Sequence, residues 1–388
     1  VRKIIISVLV VFAATLATAV PARATTTATN ETLSAVSCVT TKYCVAVGLG
    51  PVNAKEPYGA ISVFWNGVKW RRVAMKPPSA TSPYHLYSVS CTSTAYCVTI
   101  GSYGLAPGAS PFAETWNGRT WTLTVLPKPA GVVRTQVAGA SCGATRHCVA
   151  VGYYLNAKNL AEPLVATLTG SKWAIRHLSL PAGGVVATFS AVSCPSTTFC
   201  ALVGQFGTAT AHHQNLFESW NGRAFTRMKV ASVPAGPPSI SVVSCVSAKA
   251  CVAVGQSAAA PPDNGVAEVW SGKAWSVGPV TWPKATLSSI LDSVSCVAVG
   301  KCAAVGGETL SSNPDGFQAV AVADNGKAWA LTNFPAPPKG DFSELLGVSC
   351  KSTAFCVAVG ETGPNAGPQL AALTGIWNGK KWRLVPAH

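Results

Sequence analysis

Acidic residues are scarce in this chain: 388 residues carry only 14 Asp and Glu against 29 Lys and Arg, and charged residues of every kind make up 11%. The composition of a disordered chain, high in charge and poor in apolar residues, is excluded because 48% of the residues are hydrophobic. So few carboxylates leave little material for paired acid/base chemistry. No H-x-H or H-E-x-x-H array, phosphate-binding loop or EF-hand loop is present. Beyond the first 24 residues no apolar run approaches the ~20 residues that span a bilayer, so no membrane span is expected after that point. A sustained helical period is likewise missing there. What remains is a chain rich in turn residues, with 35 Gly and 27 Pro.

Residues 1–24 read as a signal peptide: Arg2 and Lys3 open it, Ile4 to Leu16 is almost wholly apolar, and Ala22-Arg23-Ala24 is an A-x-A cleavage site. No Cys follows the apolar run, which argues against a lipid anchor; an uncleaved membrane anchor is the competing reading. Val1, read as a non-ATG start, points to a bacterial source. The expectation is a secreted or cell-wall-associated protein. Formal net charge is +15, and removing Arg2, Lys3 and Arg23 with the leader leaves +12. Such a basic exported chain suits an anionic cell-wall polymer or glycan as partner. Solubility alone accounts for the charge equally well.

The 14 cysteines form seven pairs of one spacing, C-x5-C: Cys38/Cys44, Cys91/Cys97, Cys142/Cys148, Cys194/Cys200, Cys245/Cys251, Cys296/Cys302 and Cys350/Cys356. First cysteines follow one another at 53, 51, 52, 51, 51 and 54 residues. Ser precedes every first cysteine, and a large apolar residue stands five before it. Three after each second cysteine come Val or Ile and then, always, Gly. About 30 residues past each first cysteine lies a second signature, W-N-G-x-x-W. It is complete at 65–70, 116–121 and 377–382, and degenerate at 168–173, 220–225, 270–275 and 324–329. Asn-Gly between apolar runs signals a hairpin, here expected to be a type I′ turn with two positive-φ residues.

Each repeat thus reads as four short strands, and seven such units predict an all-β, seven-bladed β-propeller. Small residues on strands one and two suit the crowded axis, and Trp on strands three and four suits the wide rim. The leader covers 1–24, a linker 25–31 and the propeller 32–388. Blades fall near 32–84, 85–135, 136–187, 188–238, 239–289, 290–343 and 344–388. Ring closure is expected by packing of the last blade on the first, without a shared blade. Each cysteine pair would clip strand one to strand two as a structural disulfide. Zinc, the rival, prefers shorter C-x2–4-C pairs and four ligands together. The repeat V-S-C-x5-C-x-A-V-G followed by W-N-G-x-x-W resembles a group of exported actinobacterial repeat proteins, loosely described as galactose-oxidase-like or kelch-like. That resemblance spans 32–388 and brings no catalytic residues with it.

Site candidates are few. Glu114, Glu218 and Glu268 occupy one repeat position on strand three, so they lie apart around the ring and are expected to pair with Arg119, Arg223 or Lys273. Cations gather around strand four: Lys69, Arg71, Arg72, Arg119, Lys172, Arg176, Arg223, Arg227, Lys229, Lys273, Lys327, Lys380, Lys381 and Arg383. If that strand is outermost they form a positive belt, protecting edges or holding an anionic surface. Loops between strands two and three differ among copies, and function on rigid scaffolds tends to sit on divergent loops. Tyr103, Tyr153, Tyr154, His212, His213 and Glu361 are therefore the candidate ligand contacts, near the channel mouth on that face. No catalytic residue, cofactor or metal ligand set is assigned, nucleic acid is not an expected partner, and a monomer is expected. The readings are an extracellular, non-catalytic binding module; a lyase or glycoside hydrolase with its site at the channel mouth; or a purely structural surface protein. Three or more polar or charged side chains from different blades converging on a pocket would favour the enzyme, and an uncharged channel with a flat variable face would favour binding.

Overall fold

The computed structural model describes residues 30–51, 59–75, 78, 84–104, 109–210, 214–230, 237–257, 263–278, 280–335, 341–364 and 369–387. The leader and the pair His212 and His213 lie outside the described residues. Twenty-eight strands form seven separate four-stranded antiparallel meanders. Blade 1 is Thr32–Thr40, Tyr43–Gly50, Gly59–Trp65 and Trp70–Val73, in that order across the sheet. Strand one of every blade touches strand one of the next, and Asp341–Ser352 of blade 7 touches Thr32–Thr40 of blade 1. The first strands thus surround the axis and the fourth strands form the rim.

Strand two explains how a blade is buried on both sides. In Cys44-Val45-Ala46-Val47 all four residues are buried, and alternate side chains point to opposite faces. Val45 and Val47 join a cluster with Leu86, Phe112 and Trp116 of blade 2, whereas Cys44 and Ala46 join one with Val357 and Val359 of blade 7. Seven such clusters exist, one at each blade interface. The core is therefore distributed, and no blade buries its own faces.

Two invariant positions of the repeat acquire a reason. The Ser before each first cysteine accepts a hydrogen bond from the backbone N–H of the first cysteine in the next blade. Cys91 donates to Ser37 at 3.0 Å, and Cys142, Cys194, Cys245, Cys296 and Cys350 donate likewise to Ser90, Ser141, Ser193, Ser244 and Ser295. Cys38 donates to Ser349 at 2.9 Å and closes the belt from blade 7 to blade 1. The consensus Gly of strand two stands beside the bulge in strand one, where an added Cβ would lie about 2 Å from a strand-one carbonyl oxygen (Gly48 on Thr32, Gly255 on Ser239, Gly360 on Glu344). Only Gly allows that approach.

All seven cysteine pairs are disulfides between strands one and two: Cys38–Cys44, Cys91–Cys97, Cys142–Cys148, Cys194–Cys200, Cys245–Cys251, Cys296–Cys302 and Cys350–Cys356. In six blades the two partners stand directly opposite in register. The bridges dispose of the zinc alternative, and they fit an oxidising, extracellular environment. The bridging cysteines also take part in the core. Cys97 is 0% exposed and packs in one cluster with Phe64, Phe112 and Trp116, between blades 1 and 2. Cys251, 3% exposed, does the same with Phe217 and Trp275 between blades 4 and 5. Each is a core residue as well as a bridge, because strand two is covered on both faces.

The Asn-Gly hairpins also differ from expectation. Gly67, Gly118, Gly222 and Gly379 have positive φ near 90°, but the asparagines before them do not. A type I′ turn is thus excluded. Instead the side chain bends the chain: Asn66 Oδ1 accepts from the N–H groups of Val68 and Lys69, as Asn117, Asn221 and Asn378 do in their turns.

Candidate functional site

Strand one runs from the variable-loop face toward the stapled hairpin, so its first residues stand at the channel mouth on that face. In five blades the second pair before the bulge is polar on both sides: His85↔Ser102, Gln136↔Tyr153, Thr188↔Gln205, Ser239↔Gln256 and Glu344↔Glu361. The extra residue of the bulge adds Tyr87, Ser190 and Asp292. Hydrogen bonds knit these groups together. Tyr87 and Ser102 share one at 2.8 Å, and Tyr153 Oη and Arg134 Nη2 each donate to Gln136 Oε1 at 2.9 Å. Gln205 Nε2 donates to Ser239 Oγ at 2.8 Å and so spans blades 4 and 5.

The acidic part of this ring belongs to blades 6 and 7. Glu344 and Glu361 sit directly opposite on neighbouring strands, and Asp292 of the adjacent blade hydrogen-bonds Glu344. Burial raises the Glu344 pKa to about 7, with the charge of Asp292 and their hydrogen bond adding to it. Burial likewise raises Asp292 to about 6, the bond to Glu344 pulling the other way, and it raises Glu361 with help from the Glu344 charge. Near neutrality the three therefore hold fewer than three negative charges. Among the described residues no group of three or more His, Cys, Asp or Glu is placed to hold a metal ion.

Of the candidates named from sequence, Tyr153 and Glu361 lie in this ring. Tyr103 packs edge-on against Phe112 at 6.0 Å, inside its own blade. Tyr154 turns to strand three, where its hydroxyl donates to Glu162, which also accepts from Asn156 at 2.7 Å. Burial and that carboxylate push the Tyr154 pKa up to about 12. Asp292 and Glu344 were not singled out, because a bulge residue and a register partner in different blades look unrelated in the chain. Cysteine-anchored numbering would have revealed Glu344 opposite Glu361, six before a first cysteine and one after a consensus Gly.

The strand-three glutamates pair otherwise than expected. Glu218 binds Arg227 Nε at 2.6 Å rather than Arg223, and Glu268 accepts from Asn215 at 3.1 Å rather than from Lys273. Arg119, Arg223 and Lys273 are exposed in the turns between strands three and four, beyond the end of strand three. The strand-four cations do lie at the rim. All 14 but Arg72 are exposed, and among the described residues only Arg72 (to Glu31) and Arg227 form ion pairs.

No protein-family model matches the chain, and no curated protein does. Solved structures resemble it in fold. YCF48 bound to D1 peptide has a TM-score of 0.52 at 12% identity, covering 90% of this chain and 92% of that one. A PL25 ulvan lyase bound to -[GlcA(1-4)Rha3S]- has 0.54 at 10% identity, covering 92% and 96%. The GH74 xyloglucanase from Xanthomonas campestris has 0.54 at 12%, covering 91% of this chain and 54% of its own. At such identities the likeness extends to the propeller alone, a scaffold that carries binding proteins, a lyase and a hydrolase.

Proposed function

We propose that this chain is an exported, non-catalytic binding module, of bacterial origin, that holds an anionic cell-wall polymer or acidic glycan. The observation that carries the reading is the rim: exposed cations on or beside the outermost strands of the blades, nearly all without a carboxylate partner. Charges on outer strands also blunt sheet edges, but the clustering of Lys69, Arg71 and Arg72 on blade 1 and of Lys380, Lys381 and Arg383 on blade 7 favours a surface for polyanions. The channel mouth suits a polyanion poorly, because Asp292, Glu344 and Glu361 would repel it. Rim and mouth therefore divide by charge. Retention of the protein on purified cell walls should fall steeply with added salt, as exposed charges are screened beyond about 10 Å at 0.1 M. Arg71→Glu with Lys380→Glu and Lys381→Glu should weaken it further, and retention indifferent to salt and to these changes would refute the reading.

The enzyme reading has one observation in its favour, the three carboxyl groups of blades 6 and 7 at the axis. Chain shortening of any such polymer, lost in Glu344→Gln, would establish it in place of simple binding.

A further inference from the structure

Five blades end strand three with a tryptophan: Trp65, Trp116, Trp220, Trp270 and Trp377. That indole leans on the preceding blade, as Trp116 does on Phe64 with ring centroids 4.8 Å apart. In four of them its N–H also ties down the stapled hairpin of its own blade, donating to Thr41, Thr94, Ala248 or Thr353 at 3.1–3.2 Å. Blades 3 and 6 have Leu168 and Asp324 instead.

Both blades then depart from the repeat in the same second way. Their stapled hairpins turn through a left-handed residue two before the second cysteine, Arg146 with φ 62° and Gly300 with φ 63°. The matching Lys42, Ala95, Thr198, Lys249 and Ala354 do not have positive φ. For Arg146 this conformation is strained, and strain of that kind is concentrated at functional sites.

The room left by the missing indoles is open to solvent. A cleft of about 530 Å³ lies between blades 5 and 6, lined by Trp270 and Trp329 and edged by Lys249 and Lys327, with one carboxylate, Asp324, whose Oδ1 accepts from the Gly326 N–H at 2.8 Å. Its counterpart between blades 2 and 3, about 430 Å³, is walled by Trp116 and Trp173 and edged by Arg146. Where Trp220 and Trp377 are present, the clefts between blades 3 and 4 and between 6 and 7 measure only about 100 Å³ or less. Of these four, the two wide ones reach the roughly 300–1,000 Å³ of small-molecule sites. At the edge of the larger cleft Val269, which would lie beneath a Trp at 324, is 37% exposed.

We propose that these two clefts are sister subsites for a saccharide unit bearing an anionic group. The inference rests on the polyanion-binding reading and places its specific contacts on the stapled face, opposite the variable loops. In each cleft one half-buried indole, Trp270 or Trp173, can cover the apolar face of a sugar ring, while the nearly buried Trp329 or Trp116 forms the floor. The ammonium or guanidinium groups meet the charge, and Ser247 and Ser271, or Thr115 and Thr145, offer hydroxyls to the ring. The shared plan is one accessible indole over a buried one, with a cation at the edge.

Restoring the repeat tests it. Leu168→Trp with Asp324→Trp refills both clefts and, as a return to the repeat's own residue, should leave the thermal midpoint unchanged or higher. An array of oligosaccharides bearing carboxylate, sulfate or phosphodiester groups, each beside its neutral parent, supplies the probes, with affinity read by calorimetry. The wild-type chain should prefer at least one charged oligosaccharide, and the doubly restored variant should bind it at least about tenfold more weakly. Arg146→Gly gives an independent reading, because it relieves the strained turn and so should raise stability while weakening binding. Equal affinities for wild type, the restored variant and Arg146→Gly would overturn the cleft assignment while salt-sensitive binding to cell walls left the rim reading standing. If the wild type bound neither walls nor any charged oligosaccharide, both would fall.

Discussion

Replacing Glu268 by Gln probes a carboxylate that the fold holds away from water. Glu268 is 1% exposed, its Oε1 accepts from Asn215 Nδ2 at 3.1 Å, and its Oε2 has no hydrogen-bond partner. Burial raises its pKa from 4.5 to about 7, against the opposing pull of Asn215. A folded pKa above the unfolded one means that the native chain keeps a proton which the unfolded chain releases. The associated stability is fully present below the unfolded value of 4.5 and is lost as pH climbs to about 7, beyond which it stays level. At 1.36 kcal/mol per pH unit the loss is about 3 kcal/mol. Gln keeps the acceptor for Asn215 and cannot ionise, but its amide N–H₂ would occupy the place where Oε2 lacks a partner, costing about 1 kcal/mol. Glu268→Gln should therefore be slightly less stable than wild type near pH 5 and about 2 kcal/mol more stable near pH 8. Urea denaturation at the two pH values measures it. Curves for the two proteins that ran parallel across this window would refute the argument.

Two further substitutions test the closure of the ring. Ser37→Ala removes the acceptor of the Cys91 N–H and should cost about 1–3 kcal/mol in urea denaturation, with no loss of the disulfides. Gly255→Ala would bring a Cβ to 1.9 Å from the Ser239 carbonyl oxygen, backbone that cannot yield as a side-chain tip can. A loss of about 3 kcal/mol is expected, and a thermal midpoint equal to wild type would show that the bulge does not require Gly.

Much of the architecture was legible because its signals are local and repeat seven times. Identical cysteine spacing revealed the blade count and the pairing together, since partners six apart can meet only across one hairpin. That spacing could not reveal that Cys97 and Cys251 also fill the core, because the residues they touch belong partly to another blade. The Asn-Gly hairpins were placed correctly, but their turn type was not, because an asparagine side chain can replace the second positive-φ residue. Glu218 was assigned to Arg223 on sequence proximity, whereas Arg227 stands opposite it in register. Tyr153 and Tyr154 were equal as neighbours in sequence. Strand alternation sends one to the channel ring and the other to strand three.

What the chain by itself determined is the blade: its strands, its clip, its turns and the charge along its outer edge, each encoded within about fifty residues. Tertiary structure alone decided what happens between blades. The serine belt, the Asp292–Glu344 hydrogen bond and the two wide clefts each join residues some fifty positions apart. Leu168 and Asp324 read in the sequence as lapses in a motif. They became candidate sites only once the neighbouring blade was seen to leave the indole's place empty, since packing between sheets depends on which faces meet, and no single repeat records its neighbour.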